Sequence, residues 1–278
     1  MTCFRVLAVG GLLVFCAALT ATAQEEEPSF KAQFQAQLAE WLPGMGAENI
    51  PDRRDAQQKL QQLCFELGTP GREAEQVEAC QVMAETLDTQ LPKPTRIWLL
   101  SQLQHLGGQE CVDAVAKSLD DADPHIHDAA RRALADNPAA EANAKLLAKL
   151  GSSNGTFRVG LINALGFRAD PASVGSLTGL LRDKDPAAVA AAANALGKIG
   201  GPQAAGALKG ALSSAPEALK VPIADAYLRC ADQLLKQGKT KEAVAIYDEL
   251  VTDASPRVIR MAAMRGKLNA VGNRGDRE

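Results

Sequence analysis

The sequence predicts an all-α protein made of stacked helix pairs, and three observations support this fold class. Leucines end successive alanine-rich runs at a spacing of 31 residues, at Leu134, Leu165 and Leu196. A second set with the same spacing follows about half a period later each time, at Leu150, Leu181 and Leu212. Aromatic residues make up only 4% of the 278 residues, so helices of small residues are favoured. A fixed period of this length, with two segments per period, is typical of a helical repeat array.

Helix start and stop signals divide each period into two helices. The first helix is predicted to begin at Asp123-Pro124 or Asp185-Pro186, because aspartate caps free backbone N–H groups and proline suits the first helical turn. It is expected to end at Gly166 or Gly197 in a left-handed cap, since each glycine directly follows a repeat leucine. The second helix then runs to the second leucine.

Small residues recur in register on both predicted helices. On the first helices they form two columns, Ala129, Gly160 and Ala191 in one and Ala133, Ala164 and Ala195 in the other. On the second helices they include Gly175, Gly179, Gly206 and Gly210. Glycine inside a helix costs about 1 kcal/mol relative to alanine. We therefore expect close helix–helix approach to compensate for the glycines of the second helices.

The repeat sequences resemble a known family. The stretches DADPHIHDAARRAL from Asp121 and DKDPAAVAAAANALGKIGGPQAAGAL from Asp183 are similar to the short bacterial form of the HEAT repeat, also found in phycobilisome-lyase-like proteins. The resemblance covers roughly residues 95–212 and implies a right-handed α–α superhelix, a solenoid of antiparallel helix pairs. The arginine usual in the family at the third position after the Asp-Pro step is replaced by His127 and Val189.

The regions beside the repeats are also predicted to be helical. Residues 30–92 form an N-terminal helical capping region, which leads into HEAT-like repeats over residues 93–213. The run AYLRCADQLLKQGKTKEAVAIYDEL resembles a single tetratricopeptide-type hairpin, so residues 214–271 are expected to form this hairpin and a capping helix. Residues 272–278 are expected to be a disordered tail.

The N-terminus predicts export. Arg5 precedes an apolar run from Val6 to Leu19, and Ala21-Thr22-Ala23 fits the small-residue pattern of a signal-peptide cleavage site. We expect cleavage after Ala23, an acidic linker over residues 24–29, and a secreted or periplasmic protein without a membrane span. An uncleaved anchor is the alternative. The formal net charge of −3 and pI near 5.8 give no basic field for nucleic acid, so no nucleic-acid partner is expected.

Four cysteines remain after residue 23: Cys64, Cys80, Cys111 and Cys230. In an exported protein, Cys64 and Cys80 are candidates for a disulfide, because they flank the predicted turn at residues 68–71. In a helical hairpin the two would be offset by roughly 7 Å along the axis, which is marginal for bridging. Buried thiols are the alternative.

The sequence offers few residues for catalysis or metal binding. His125, His127 and Asp123 form its one metal-like group, but they lie at a predicted helix start, where a solvated turn is the preferred interpretation. No zinc, nucleophile-elbow or phosphate-loop motif occurs in the sequence. We therefore expect no cofactor and no enzymatic activity.

The remaining candidate site is a surface made by repetition. The second helices of a solenoid commonly line its concave face. Their outward positions form a mildly basic strip: Lys145, Lys149, Ser176, Thr178 and Lys209. This pattern predicts a non-enzymatic scaffold that binds a protein partner, of a kind the sequence does not identify, through an extended or acidic segment. The alternative is a lyase-type or chaperone-like accessory subunit of an enzyme.

Overall fold

The computed structural model describes residues 28–252 and 255–275, and in these ranges the chain contains fourteen α-helices, three short 3-10 turns and no strand. The α-helices are α1 (Phe30–Met45), α2 (Ile50–Leu67), α3 (Glu73–Leu87), α4 (Lys93–Leu106), α5 (Val112–Lys117), α6 (Pro124–Asp136), α7 (Ala140–Leu150), α8 (Gly155–Arg168), α9 (Val174–Leu180), α10 (Pro186–Ile199), α11 (Gly201–Ser214), α12 (Glu217–Lys236), α13 (Thr240–Leu250) and α14 (Arg257–Gly275). The 3-10 turns are Gln109–Cys111, Ser118–Asp120 and Pro171–Ser173. The predicted signal peptide and most of the acidic linker lie outside the described residues.

The helices stack in two layers, which confirms the predicted all-α solenoid. The first helices of the units (α2, α4, α6, α8, α10 and α12) lie side by side in one layer. Each second helix (α3, α5, α7, α9, α11 and α13) packs against the helix that follows it in the chain. Helix α1 packs on α2 and α3 at one end, and α14 packs on α12 and α13 at the other.

The repeat leucines form the core between the layers. Leu134, Leu165 and Leu196 are completely buried, and Leu150 is nearly so. Burying a leucine side chain stabilises a fold by about 1.5–3 kcal/mol relative to exposure. The leucines at the ends of the later second helices, Leu181 and Leu212, are only half-buried and pack on the edge of the core.

The predicted helix starts are confirmed. Asp123 Oδ1 accepts a hydrogen bond from the backbone N–H of His125 at 2.9 Å, and Asp185 Oδ1 accepts one from Ala187 at the same distance. Since the helix begins at the proline in each case, the aspartate satisfies a donor that has no partner within the helix.

Arginine–aspartate pairs join neighbouring units in alternate repeats. Arg96 bonds to Asp121, and two repeats further on Arg158 bonds to Asp183 with 2.7 Å between Nη2 and Oδ2. The equivalent positions in the intervening repeat are His127 and Ser152, and in the last repeat Val189 and Ser214. Both members of the pair are therefore replaced together, and the His127 ring instead contacts the Phe157 ring with centroids 4.1 Å apart.

The predicted caps at Gly166 and Gly197 are wrong. Helix α8 continues past Gly166 to Arg168, and α10 continues past Gly197 to Ile199. A Cβ at Gly166 would lie 2.6 Å from Ala195 Cβ, and a Cβ at Gly197 would lie 2.6 Å from the carbonyl oxygen of Ala226. These glycines are needed because the next first helix crosses directly over them.

The predicted close approach at the second-helix glycines is also wrong. A Cβ built at any of the four would meet no atom within 4 Å: Gly175, Gly179, Gly206 and Gly210. The reason is that the close backbone approach occurs between successive first helices and not between successive second helices. The second-helix glycines therefore face open space, and packing does not account for their cost.

The two cysteines of the candidate disulfide are free in this structure. Cys64 and Cys80 are both buried, as are Cys111 and Cys230. Cys64 lies one turn from the end of α2, whereas Cys80 lies two turns into α3, so the two are offset along the hairpin. Burial raises the pKa of Cys64 to about 12 and that of Cys230 to about 11, which keeps both thiols protonated and unreactive.

The C-terminal part is a helical hairpin followed by a longer helix than predicted. Helices α12 and α13 pack together through the expected alternation of large and small buried residues: Tyr227, Ala231, Ala243, Tyr247 and Leu250. The resemblance of this hairpin to a tetratricopeptide unit stays a prediction. Helix α14 runs past Val271 to Gly275, so residues 272–275 are helical where a disordered tail was predicted. None of the described helices combines the length and apolarity needed to cross a bilayer.

Candidate functional site

All five residues of the predicted strip lie on second helices. Lys145 and Lys149 are on α7, Ser176 and Thr178 are on α9, and Lys209 is on α11. We call the surface formed by α5, α7, α9 and α11 the second-helix face. That this face is the concave one stays a prediction.

The three lysines of the strip are neutralised by carboxylates of neighbouring helices. Lys145 Nζ lies 2.7 Å from Asp113 Oδ1, and Lys149 Nζ lies 2.5 Å from Asp120 Oδ1. These partners precede the lysines by about one repeat period, so sequence spacing alone did not reveal them. The strip is therefore less basic than its lysine content indicates.

Lys209 belongs to a structural network at the end of the array. Its Nζ lies 2.5 Å from Glu249 Oε1, and the Tyr227 hydroxyl donates to Glu249 Oε2 at 2.9 Å. Burial acts to raise the pKa of Glu249, but the hydrogen bonds from Lys209 and Tyr227 outweigh it and the pKa is lowered. Glu249 therefore stays ionised and connects α11 to the C-terminal hairpin.

Two cavities open on the second-helix face. The first has a volume of about 660 Å³ between α5 and α7, where Lys145 and Lys149 and their two aspartates form the walls. The second, which we call the glycine groove, has a volume of about 370 Å³ between α9 and α11. Its lining consists of Thr178, Gly179, Leu181, Arg182, Gly206, Ala207, Gly210, Ala211 and Ser214. Ser176 and Lys209 line neither cavity.

Arg182 is the functional candidate that sequence reasoning missed. It is exposed on the wall of the glycine groove, and among the described residues no carboxylate lies within salt-bridge distance of it. It follows the repeat leucine Leu181 in the loop after α9, where the pattern predicts only a turn. An exposed guanidinium without an acidic partner is available to a carboxylate of a ligand.

The weak metal candidates do not converge. Asp123 pairs with Lys93 at 2.6 Å between Oδ2 and Nζ, and the hydrogen bond from Lys93 lowers the pKa of Asp123. The Nδ1 atom of His127 lies 3.1 Å from the carbonyl oxygen of Asp121, and His125 is exposed. Among the residues described, no three His, Cys, Asp or Glu side chains are grouped so that they could hold a metal ion.

Comparison with known proteins identifies the segment that contains the glycine groove. The sequence profile of the family described as HEAT repeats matches residues 143–220, from within α7 to the start of α12. Residues 143–220 are therefore similar to HEAT repeats. The matched segment includes both helices that form the groove and every residue of the groove lining. No curated protein matches the chain.

Three solved structures match the chain to different degrees. A structure of lipid–protein interactions in lipovitellin matches with a TM-score of 0.59 and 14% identity, over 88% of this chain and 27% of that chain. This chain thus spans about a quarter of the length of that protein. A designed armadillo repeat protein in complex with the peptide (KR)4 matches with a TM-score of 0.39 and 17% identity, over 87% of this chain and 99% of that one. Human deoxyhypusine hydroxylase in complex with glycerol matches with a TM-score of 0.35 and 14% identity, over 87% of this chain and 98% of that one.

Proposed function

We propose that the protein is an exported, non-enzymatic HEAT-repeat scaffold that binds an extended, acidic segment of a partner protein in the glycine groove. The observation that carries the proposal is the groove floor, where Gly179, Gly206 and Gly210 stand in helices with open space in front of them. Repeat solenoids use such extended surfaces for protein binding.

The glycines have a purpose in binding that they lack in packing. Each costs about 1 kcal/mol relative to alanine in a helix, and no neighbouring atom requires its small size. Without methyl groups on the floor, the main chain of a bound segment can approach the helices closely. Thr178 on α9 offers a hydroxyl beside this floor.

Arg182 gives the groove its preference for an acidic segment. The lysines nearby on the second-helix face are held in ion pairs, so Arg182 is the cation that a carboxylate of the partner can reach in the groove. A guanidinium also bonds a carboxylate through two parallel N–H groups, which fixes the orientation of the segment. We therefore place an Asp or Glu side chain, or a C-terminal carboxylate, beside Arg182.

A peptide selection tests this proposal. The chain from Gln24 to Glu278 is immobilised and exposed to a random library of peptides of about 12 residues. We expect enrichment of acidic sequences. Arg182→Glu should lower the affinity for the selected peptides about tenfold or more, because the mutation replaces electrostatic attraction by repulsion. Arg54→Glu, an exposed site on α2, is the charge-matched control and should leave binding unchanged. Peptides that bind both variants equally would exclude Arg182 from the site.

Export is tested separately, by N-terminal sequencing of the protein produced in its own host. We expect the mature chain in the secreted or periplasmic fraction to begin at Gln24, because the small residues before it fit signal peptidase. A chain that keeps Met1 in the membrane fraction would support the uncleaved anchor, and a full-length chain in the cytosol would contradict export.

A further inference from the structure

The last helix of the array is fixed in orientation by contacts on one side only. Ile259, Ala263 and Ala270 of α14 are buried against α12 and α13. Gly266 lies on the same side, and a Cβ there would be 2.6 Å from the Tyr247 ring. An ion pair between Lys267 and Asp248, 2.5 Å long, further holds the helix in place.

The opposite side of α14 carries an exposed apolar seam, which we call the C-terminal seam. Its members are Met261, Met264, Leu268 and Val271, spaced by three, four and three residues, and their exposed fractions are 58%, 41%, 72% and 50%. At 100° per residue they fall within an arc of about 80°. This is the spacing of the a and d positions of a coiled-coil helix.

Exposed basic residues lie beside the C-terminal seam. Between Arg257 and Gly275 the helix contains five basic residues and no acidic one. Arg257 lies at the start of the seam and Arg265 on one flank, and both are exposed. A second copy of this helix would bring like charges together, which is unfavourable. A partner with acidic residues beside its apolar stripe is favoured instead.

The composition of the seam favours a helix over a lipid surface. Helices that lie in a membrane interface commonly carry Trp or Phe on the apolar face, whereas the seam and the neighbouring exposed Val258 contain no aromatic residue. Methionines at two of its four positions suit packing against the side chains of another helix, because the unbranched thioether adapts to irregular gaps.

We propose that the C-terminal seam of α14 docks an amphipathic helix of a partner protein that has acidic residues beside its apolar stripe. The docked helix extends the solenoid by one layer and covers the seam. The proposal does not depend on the glycine groove, which lies on other helices, so its failure leaves the proposed function intact.

Binding of designed peptides tests this proposal. The probe is a helical peptide of roughly three heptads with Leu at a and d and Glu at e and g, and the control peptide has Lys at e and g. Fluorescence anisotropy with the chain from Gln24 to Glu278 should show that the acidic peptide binds. The affinity for the basic peptide should be lower by about tenfold or more. Leu268→Glu should abolish binding of the acidic peptide without unfolding the protein, because the side chain is largely exposed.

The control variant is Phe65→Glu, which changes an equally exposed apolar residue on α2 and should leave binding unchanged. Equal binding of the two peptides, or binding that Leu268→Glu does not reduce, would overturn the proposal. Two further measurements on the same proteins test the other occupants. One is self-association in analytical ultracentrifugation, and the other is binding to phosphatidylserine vesicles. If wild type self-associates or binds the vesicles, Leu268→Glu does not, and the acidic peptide fails to bind wild type, the proposal is also overturned.

Discussion

Replacing Gly197 by alanine is expected to lower the free energy of unfolding by about 3 kcal/mol. The new methyl group would lie 2.6 Å from the carbonyl oxygen of Ala226 and 3.0 Å from its Cα, and backbone atoms of a packed helix cannot move aside as a flexible side chain can. Helices α10 and α12 would have to separate. Urea unfolding followed by circular dichroism measures the effect.

The control for this experiment is the same exchange at a helical glycine that faces solvent. Gly272 of α14 has no atom within 4 Å of its Cβ position, so Gly272→Ala should leave stability unchanged or raise it slightly. If Gly197→Ala and Gly272→Ala unfold at the same urea concentration, the first helices do not pack backbone against backbone as described.

Replacing Gly179, Gly206 and Gly210 together by alanine is expected to raise the free energy of unfolding by about 2–3 kcal/mol, roughly 1 kcal/mol for each site. All three sites are helical and open, so the added methyl groups meet nothing while the unfolded chain loses conformational freedom. The same variant should no longer bind the acidic peptides that were selected with wild type, because the methyl groups fill the floor of the glycine groove. Stability and binding therefore change in opposite directions, as at other functional sites that are not optimised for stability.

Two results would contradict this interpretation of the groove. A less stable triple variant would show that the glycines are required by the fold. A more stable variant with unchanged peptide binding would show that the floor does not contact the ligand. Gly272→Ala serves again as the control, since it adds one methyl group to a helix far from the groove in the sequence.

Much of the fold could be predicted from the sequence because the signals that define it are local and repeated. The Asp-Pro steps give the same capping bond at Asp123 and Asp185. The constant repeat period places each repeat leucine on the side of its helix that meets the next unit. Repetition makes such a pattern visible even where one copy departs from it, as at His127.

The roles of the glycines could not be assigned in this way. Gly166 and Gly197 follow a leucine and so match a helix-ending pattern, but the residues after them also favour a helix and the crossing helix requires a small residue there. The spacing of Gly206 and Gly210 matches a close-packing pattern, yet a Cβ at either position would meet no atom within 4 Å. A glycine pattern shows only that side chains are absent from one side of a helix. Whether another helix packs into that space depends on how the units stack.

The charges of the candidate site were beyond sequence reasoning for a related reason. Lys145 and Lys149 find their carboxylates on α5 and in the turn after it, each about one repeat period away in the chain. Arg182 has no such partner among the described residues. Which cation is paired depends on side chains that meet only after stacking, so the pattern could place the lysines on the second helices but could not show which cation lacks a carboxylate partner.

The two layers of the array also differ in mechanical stiffness. At Gly166 and Gly197 the first helices touch through backbone and Cβ atoms, which cannot be compressed, whereas cavities separate α5 from α7 and α9 from α11. Bending of the array therefore changes the spacing of the second helices and leaves that of the first helices almost constant. A segment bound in the glycine groove would act as a strut between α9 and α11, so that binding stiffens the array and fixes its curvature.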